Sequence, residues 1–170
     1  MKYFNGFSLQ GEEIFFHDKL IQSDVAVAGF SYGAQQALEY VYANPLVRVD
    51  RLILLSPAFF QHHKKSFMRT QLRYYRSDPD AYEATFLQNV AYPSDQSLTA
   101  YLKRGSEAEL SSLLHYVWDR DKLQSLQDRG VIIEVFIGQE DKIVDAQESF
   151  AFFSSLATTY LIKGVGHLLV

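Results

Sequence analysis

Asp24-Val25-Ala26-Val27-Ala28-Gly29-Phe30-Ser31-Tyr32-Gly33-Ala34 is the stretch on which the fold turns. Up to Gly29 it is a short apolar run ended by glycine, the pattern of a strand buried on both faces of a sheet. From Ala34 to Tyr42 strong helix formers dominate, and Asn44-Pro45 stops them, because proline cannot continue a helix. Only Gly29-Phe30-Ser31-Tyr32-Gly33 lies between strand and helix. So sharp a turn strains the backbone at Ser31 and presses helix against strand. Glycine at 29 and 33 removes the Cβ atoms that would collide there.

Working outward, Arg51-Leu52-Ile53-Leu54-Leu55 reads as a second buried strand, stopped by Ser56-Pro57. Val131 to Ile137 reads as a third, between Gly130 and Gly138, and Thr158 to Ile162 as a fourth, closed by Gly164. Asp145 to Leu156 reads as a helix with Asp145 as its N-cap. Lys2-Tyr3-Phe4 and Glu13-Ile14-Phe15-Phe16 are two further strand candidates. Strands alternating with helices predict an α/β protein with a mostly parallel sheet and helices on both faces. Between its halves, about 58–126, no strand pattern occurs, and the stretch is too long for an ordinary connection. It predicts an inserted helical cap over the carboxyl edge of the sheet, where ligands bind in open α/β folds.

With 170 residues, the chain predicts a single domain, 1–170. An apolar share of 48% against 21% charged excludes a disordered chain. There is no cysteine, which excludes disulfides, thiolate nucleophiles and Cys-bound zinc. No apolar run of about 18 residues offers a membrane helix. Met1 to Gly6 lacks a signal-peptide pattern, so a soluble, cytoplasmic protein is expected. A net charge of −4 argues against general nucleic-acid binding.

The charge is unevenly spread. Pro57 to Ser77 holds five of the 16 Lys/Arg and none of the 20 Asp/Glu. Read as a helix, Lys64 to Arg76 places Lys65, Arg69, Arg73 and Arg76 within an arc of about 80°, beside an inward stripe of Met68, Leu72 and Tyr75. Such a run is commonly a solvated face. Here, within the cap and without interleaved acids, it fits a docking surface for an acidic partner.

Gly29-Phe30-Ser31-Tyr32-Gly33 also fits G-x-S-x-G, and its place between strand and helix is that of a nucleophile elbow; the plain alternative is a tight turn with a helix-capping serine. A nucleophilic serine needs a base, and the base an orienting acid. Ile137-Gly138-Gln139-Glu140-Asp141 puts Asp141 on the loop after the third strand, and Gly164-Val165-Gly166-His167 puts His167 after the fourth. Glu140 and Asp145 are the rival acids. A tetrahedral intermediate would need two backbone N–H donors. Tyr32, directly after the serine, is one candidate. Phe7, after Lys2-Tyr3-Phe4-Asn5-Gly6, is the other, with Ser8 one residue away. His62-His63 read as solvated, and His17 and His115 have no ligand-spaced partner. No metal motif, glycine-rich dinucleotide loop or P-loop occurs, so neither metal nor cofactor is expected.

These pieces resemble a known family. Tyr3-Phe4-Asn5-Gly6-Phe7, Gly29-Phe30-Ser31-Tyr32-Gly33, Leu54-Leu55-Ser56-Pro57, Ile133-Glu134-Val135-Phe136-Ile137-Gly138, Asp141 and Gly166-His167-Leu168-Leu169 are similar to the short α/β-hydrolases that demethylate pimeloyl-acyl-carrier-protein methyl ester in biotin synthesis, above all the compact BioV type. The resemblance implies a compact α/β-hydrolase fold and a catalytic triad. It also implies an ester carried on acyl carrier protein, an acidic partner for the basic helix. Phe59, Phe60, Tyr74, Tyr75, Phe86, Tyr101, Tyr116 and Trp118 are candidate walls of a substrate channel. Another serine hydrolase, a thioesterase or general carboxylesterase, would share every one of these catalytic residues. A non-catalytic binding module on the same fold would commonly lack one of the three, and all three are present here.

Overall fold

The computed structural model describes all 170 residues, Met1–Val170. Five parallel strands form one sheet in the order of the chain: β1 (Lys2–Phe4), β2 (Ala26–Phe30), β3 (Arg51–Leu55), β4 (Ile132–Gly138) and β5 (Thr158–Ile162). Six α-helices accompany them: α1 (Tyr32–Ala43), α2 (Lys65–Ser77), α3 (Pro79–Ala91), α4 (Glu107–His115), α5 (Arg120–Asp128) and α6 (Ala146–Ser154). Because all strands run the same way, every strand ends at one edge, and the loops leaving that edge carry Asn5 to Ser8, Ser31, Ser56, Asp141 and His167.

Strand residues alternate between two cores, as a period of two requires. Val27, Leu52, Leu54, Ile133, Val135 and Ile137 face α1, α5 and α6, packing against Leu38, Leu123 and Phe153. Ala28, Phe30, Ile53 and Leu55 face the other way, against Phe16, Leu20, Val90 from α3, and Leu168. Helix α1 buries Ala34, Ala37, Leu38 and Val41, one stripe at helical spacing. It ends where expected, with Asn44 Nδ2 donating to the Tyr40 carbonyl at 2.7 Å.

Within the stretch 58–126, helices α2, α3 and α4 build a third apolar cluster above the strand ends, from Met68, Leu72, Tyr75, Leu110, Leu113 and Leu114, with Phe7, Phe60 and Val144. Helix α5 lies instead on the sheet, with Leu123 and Leu126 in the main core. Helix α3 is capped by Asp78, which accepts from Ala81 N at 3.0 Å, and α4 by a reciprocal Ser106–Glu109 box. No helix is long and apolar enough to cross a membrane.

One expected strand is absent. Glu12–Phe16, overlapping Glu13-Ile14-Phe15-Phe16, is a 3₁₀ helix entered through Gly11 at φ 81°. The segment buries Glu12 and Phe16 but leaves Ile14 56% exposed, so its apolar run does not face one core as a buried strand would.

Two glycines test different constraints. A Cβ on Gly29 would strike the Gly33 carbonyl, whereas one on Gly130, at φ 82°, would meet nothing. Gly29→Ala is expected to cost about 3 kcal/mol through backbone collision, and Gly130→Ala about 1 kcal/mol through backbone conformation alone. Urea unfolding of both variants measures the difference.

Candidate active site

The elbow is drawn tight. Ser31 sits between β2 and α1 at φ 54°, ψ −113°, a strained conformation for a non-glycine residue. Its N–H donates to the Leu55 carbonyl at 2.9 Å, and its carbonyl accepts from Ala34 N at 3.1 Å and Ala58 N at 3.2 Å. A Cβ on Gly33 would strike the Phe4 carbonyl, so α1 starts hard against the end of β1.

Asp141 and His167 meet. His167 Nδ1 and Asp141 Oδ2 are 2.6 Å apart, and both side chains are wholly buried. Asp141 Oδ1 also accepts from Ile143 N at 2.7 Å and Val144 N at 3.0 Å, which fixes the carboxylate through its own loop. The His167 carbonyl accepts from Ser56 Oγ at 2.6 Å, and the Phe30 ring packs 5.1 Å from the imidazole. His167 Nε2 is buried and makes no hydrogen bond, and none joins it to Ser31 Oγ. The rivals to Asp141 are placed otherwise. Glu140 is exposed. Asp145 caps α6, accepting from Gln147 N at 2.9 Å and Glu148 N at 3.0 Å.

Three backbone N–H groups near the elbow, those of Tyr32, Phe7 and Ser8, make no hydrogen bond within the protein. Tyr32 opens α1, where the helix dipole favours negative charge. The loop bearing Phe7 and Ser8 is held from below: Gly6 N donates to Glu12 Oε1 at 2.7 Å, and Gly11 N to Asn5 Oδ1 at 3.2 Å. Glu12 is fully buried, and that burial pushes its carboxyl above the ordinary carboxylate range.

Ser31, Phe7 and Asp141 open onto a cavity of about 740 Å³ under the cap. Of the aromatic residues expected as walls, Phe60, Tyr74 and Phe86 line it. Phe59 and Trp118 belong to the main core, Tyr75 is buried within the cap, and Tyr116 donates to Glu39 at 2.6 Å. Phe67, Tyr82, Leu113 and Ile143 are walls that sequence reasoning missed; nothing in the sequence separates them from core residues. The cavity runs to the corner between α2 and α3 at Tyr74, Ser77 and Asp78, and Tyr74 is 54% exposed. Lys65, Arg69 and Arg73 of α2 are exposed and take part in no ion pair, but none lines the cavity: at about 100° per residue they lie on the face of the helix turned away from Phe67, Gln71 and Tyr74. Arg76 differs from the expectation of a free charge: it pairs with Glu107 of α4 at 2.6 Å, so the fold supplies an acid that the segment itself lacks. No group of three His, Asp or Glu side chains gathers as metal ligands do.

No family model matches the chain, and no curated protein matches it in sequence. Solved structures do. An esterase from Exiguobacterium antarcticum superposes with a TM-score of 0.66 at 18% identity, covering 91% of this chain and 63% of its own. A bromoperoxidase from Bacillus anthracis gives 0.68 at 15%, covering 85% and 60%. BioG from Haemophilus influenzae gives 0.61 at 11%, covering 98% and 87%. The chain has the α/β-hydrolase fold. It spans less than two thirds of the length of the esterase and of the bromoperoxidase, and most of the length of BioG. At these identities the likeness is one of fold.

Glu12 gives this edge of the sheet a pH signature. Its pKa is raised in the folded state, so above the ordinary 4.5 the native protein holds a proton that the unfolded chain has released. Stability therefore falls as pH rises through that window. Glu12→Gln is expected to remove this fall, read as urea unfolding free energies across the weakly acid range. Parallel curves for variant and wild type would assign the pH dependence elsewhere.

Proposed function

We propose that the chain is a serine carboxylesterase whose nucleophile is Ser31, whose base is His167 and whose orienting acid is Asp141. The observation that carries this reading is the buried 2.6 Å Asp141–His167 pair, with Nε2 left unbonded, on the strand edge that also presents the strained Ser31. Ser31 Oγ attacks an ester carbonyl while His167 Nε2 takes its proton. Asp141 holds the imidazole in the tautomer with the proton on Nδ1 and stabilises the imidazolium. The N–H groups of Tyr32 and Phe7 receive the negative oxygen. The tetrahedral adduct collapses, and the alcohol leaves with the proton from His167. Water, deprotonated by the same nitrogen, then releases the acid from Ser31. The names of the similar solved structures, several of them esterases, support this class of chemistry.

The finer reading is that the ester is the methyl ester of pimeloyl-acyl carrier protein, hydrolysed to pimeloyl-acyl carrier protein and methanol in biotin synthesis. The resemblance of the sequence pieces supports it, as does the near-complete overlap with BioG. So does the form of the site: a mainly apolar cavity fits an acyl chain, and α2, which lines it through Phe67, Gln71 and Tyr74, carries the free charges of Lys65, Arg69 and Arg73 on its exposed face, which suit an acidic carrier. Arg76 contributes less, because Glu107 already neutralises it. A cytoplasmic setting accompanies this substrate.

A fluorophosphonate is expected to label wild type and not Ser31→Ala; persistent labelling would assign another serine. Asp141→Asn keeps an acceptor for the N–H groups of Ile143 and Val144, so the fold should persist while kcat drops by roughly three powers of ten or more. Arg69→Glu with Arg73→Glu should raise KM for the carrier-linked ester, as should added salt with wild type, and leave hydrolysis of a short nitrophenyl ester nearly unchanged. A general carboxylesterase or thioesterase would instead prefer the short ester or the thioester bond when the three substrates are compared.

A further inference from the structure

The cap is stitched to the loop that bears Phe7 and Ser8. Residues 101–105, between the 3₁₀ turn at Thr99–Tyr101 and α4, run alongside Ser8 to Gln10: Gln10 N donates to the Tyr101 carbonyl at 2.8 Å, Leu9 and Leu102 form an antiparallel bridge, and Lys103 N donates to the Ser8 carbonyl at 3.0 Å. At the end of this strap lies a buried polar knot. Glu83 of α3 is 2% exposed. Its Oε1 accepts from Ser8 Oγ at 2.8 Å and from Gly105 N at 3.2 Å, and its Oε2 accepts from Arg104 Nε at 3.1 Å. Ser8 Oγ in turn accepts from Gly105 N at 3.0 Å, and the Gly105 carbonyl accepts from the buried Tyr75 hydroxyl at 2.6 Å. A Cβ on Gly105 would strike the Phe7 ring, so the knot bears directly on Phe7 as well.

Two features of this knot go beyond holding a cap in place. Ser8 lies at φ 56°, a conformation that a serine keeps only when its surroundings impose it. The N–H groups of Phe7 and Ser8 stay unbonded although both residues are almost wholly buried, and buried donors are otherwise paired. A donor held free and fixed before reaction is what a developing oxyanion requires. A carboxylate is also costly to bury, and apolar packing could join cap to loop without it.

We propose that Glu83 is a positioning residue for the oxyanion hole: acting through Ser8, it fixes the Phe7–Ser8 turn in donor-ready form and locks that turn to the cap. The role presupposes the Ser31 esterase chemistry proposed above. Its consequence is that cap and second oxyanion donor move as one body, so displacement of the cap takes the donor with it.

The test uses the full chain, a short nitrophenyl ester and butylboronic acid, whose adduct with Ser31 carries a negative oxygen like that of the tetrahedral intermediate. Ser8→Ala and Glu83→Ala are expected to lower kcat about tenfold and to weaken the boronic acid by a similar factor, with KM changed by less than about twofold, short of the full loss of an oxyanion donor. Glu83→Gln, whose amide oxygen can accept the same two bonds, is expected to recover most of the loss. If Glu83→Ala does not fold, Ser8→Ala decides, since it removes one hydroxyl only. Boronic acid affinity unchanged in folded variants would overturn the proposal and leave Glu83 a tie for the cap. Wild type that takes no fluorophosphonate on Ser31 would overturn the esterase reading itself, and is seen before any variant is made.

Discussion

Backbone meeting backbone, with no side chain between, is the constraint on which the rest of the molecule depends. At Gly29 and Gly33 the end of β2, the start of α1 and the Phe4 carbonyl close to a distance that no Cβ permits. The same device recurs across the sheet, where a Cβ on Gly138 would strike Gly166 and one on Gly166 would strike Tyr92. The first contact sets Ser31 in its strained turn. The second brings the loop after β4, which carries Asp141, against the loop that carries His167. Main-chain contacts of this kind have few alternative arrangements, because they contain no rotamers to adjust. The 2.6 Å hydrogen bond between Asp141 and His167 is thus held between two rigid pieces of backbone.

Above that edge the joints change character. Besides the backbone strap along Ser8 to Gln10, the cap is attached by side chains: Glu83 to Ser8, Tyr75 to Gly105, and Gln35 Nε2 to the carbonyls of Ala58 and Leu113 at 2.9 and 3.1 Å. These are buried polar links, each needing every partner in place, since an unpaired polar group in the interior is costly. The molecule therefore has two kinds of precision. Glycine contacts position Ser31, Asp141 and His167. Hydrogen-bonded knots position what lies over them.

How far the sequence reveals this follows the same division. The strands β2, β3 and β4 are legible because strands inside a parallel sheet are near-continuous apolar runs ended by glycine or proline, and β5, an edge strand that buries none of its residues, is legible from its run Thr158 to Ile162 closed by Gly164. The elbow is legible because its glycines bracket the serine. Asp141 and His167 are legible once the strand ends are placed, since topology alone puts them on one edge. Glu13–Phe16 misleads because a four-residue run of mixed character does not distinguish a strand from a 3₁₀ turn, and Gly11 commits the chain to the turn. Glu12 and Glu83 are invisible in the sequence: acids are read as surface residues, and only the folded chain shows each of them buried beneath a loop. The pairing of Arg76 with Glu107 is hidden for a related reason, its partner coming from another helix of the cap.

The cap enters between β3, the central strand, and its neighbour β4, so that Arg51 of β3 pairs with Ile132 of β4 across the whole insertion. The entropy lost in bringing the ends of such a segment together grows only with the logarithm of its length, roughly 0.6 kcal/mol for each doubling. The sheet is accordingly almost indifferent to how much chain is threaded through this gap. Most of the cavity lining belongs to the insertion, while the glycine contacts at Gly29, Gly33 and Gly138 lie outside it and only that of Gly166 reaches into it, at Tyr92. Length can therefore be added to or taken from the insertion at little entropic cost to the sheet, whose edge carries Ser31, Asp141 and His167.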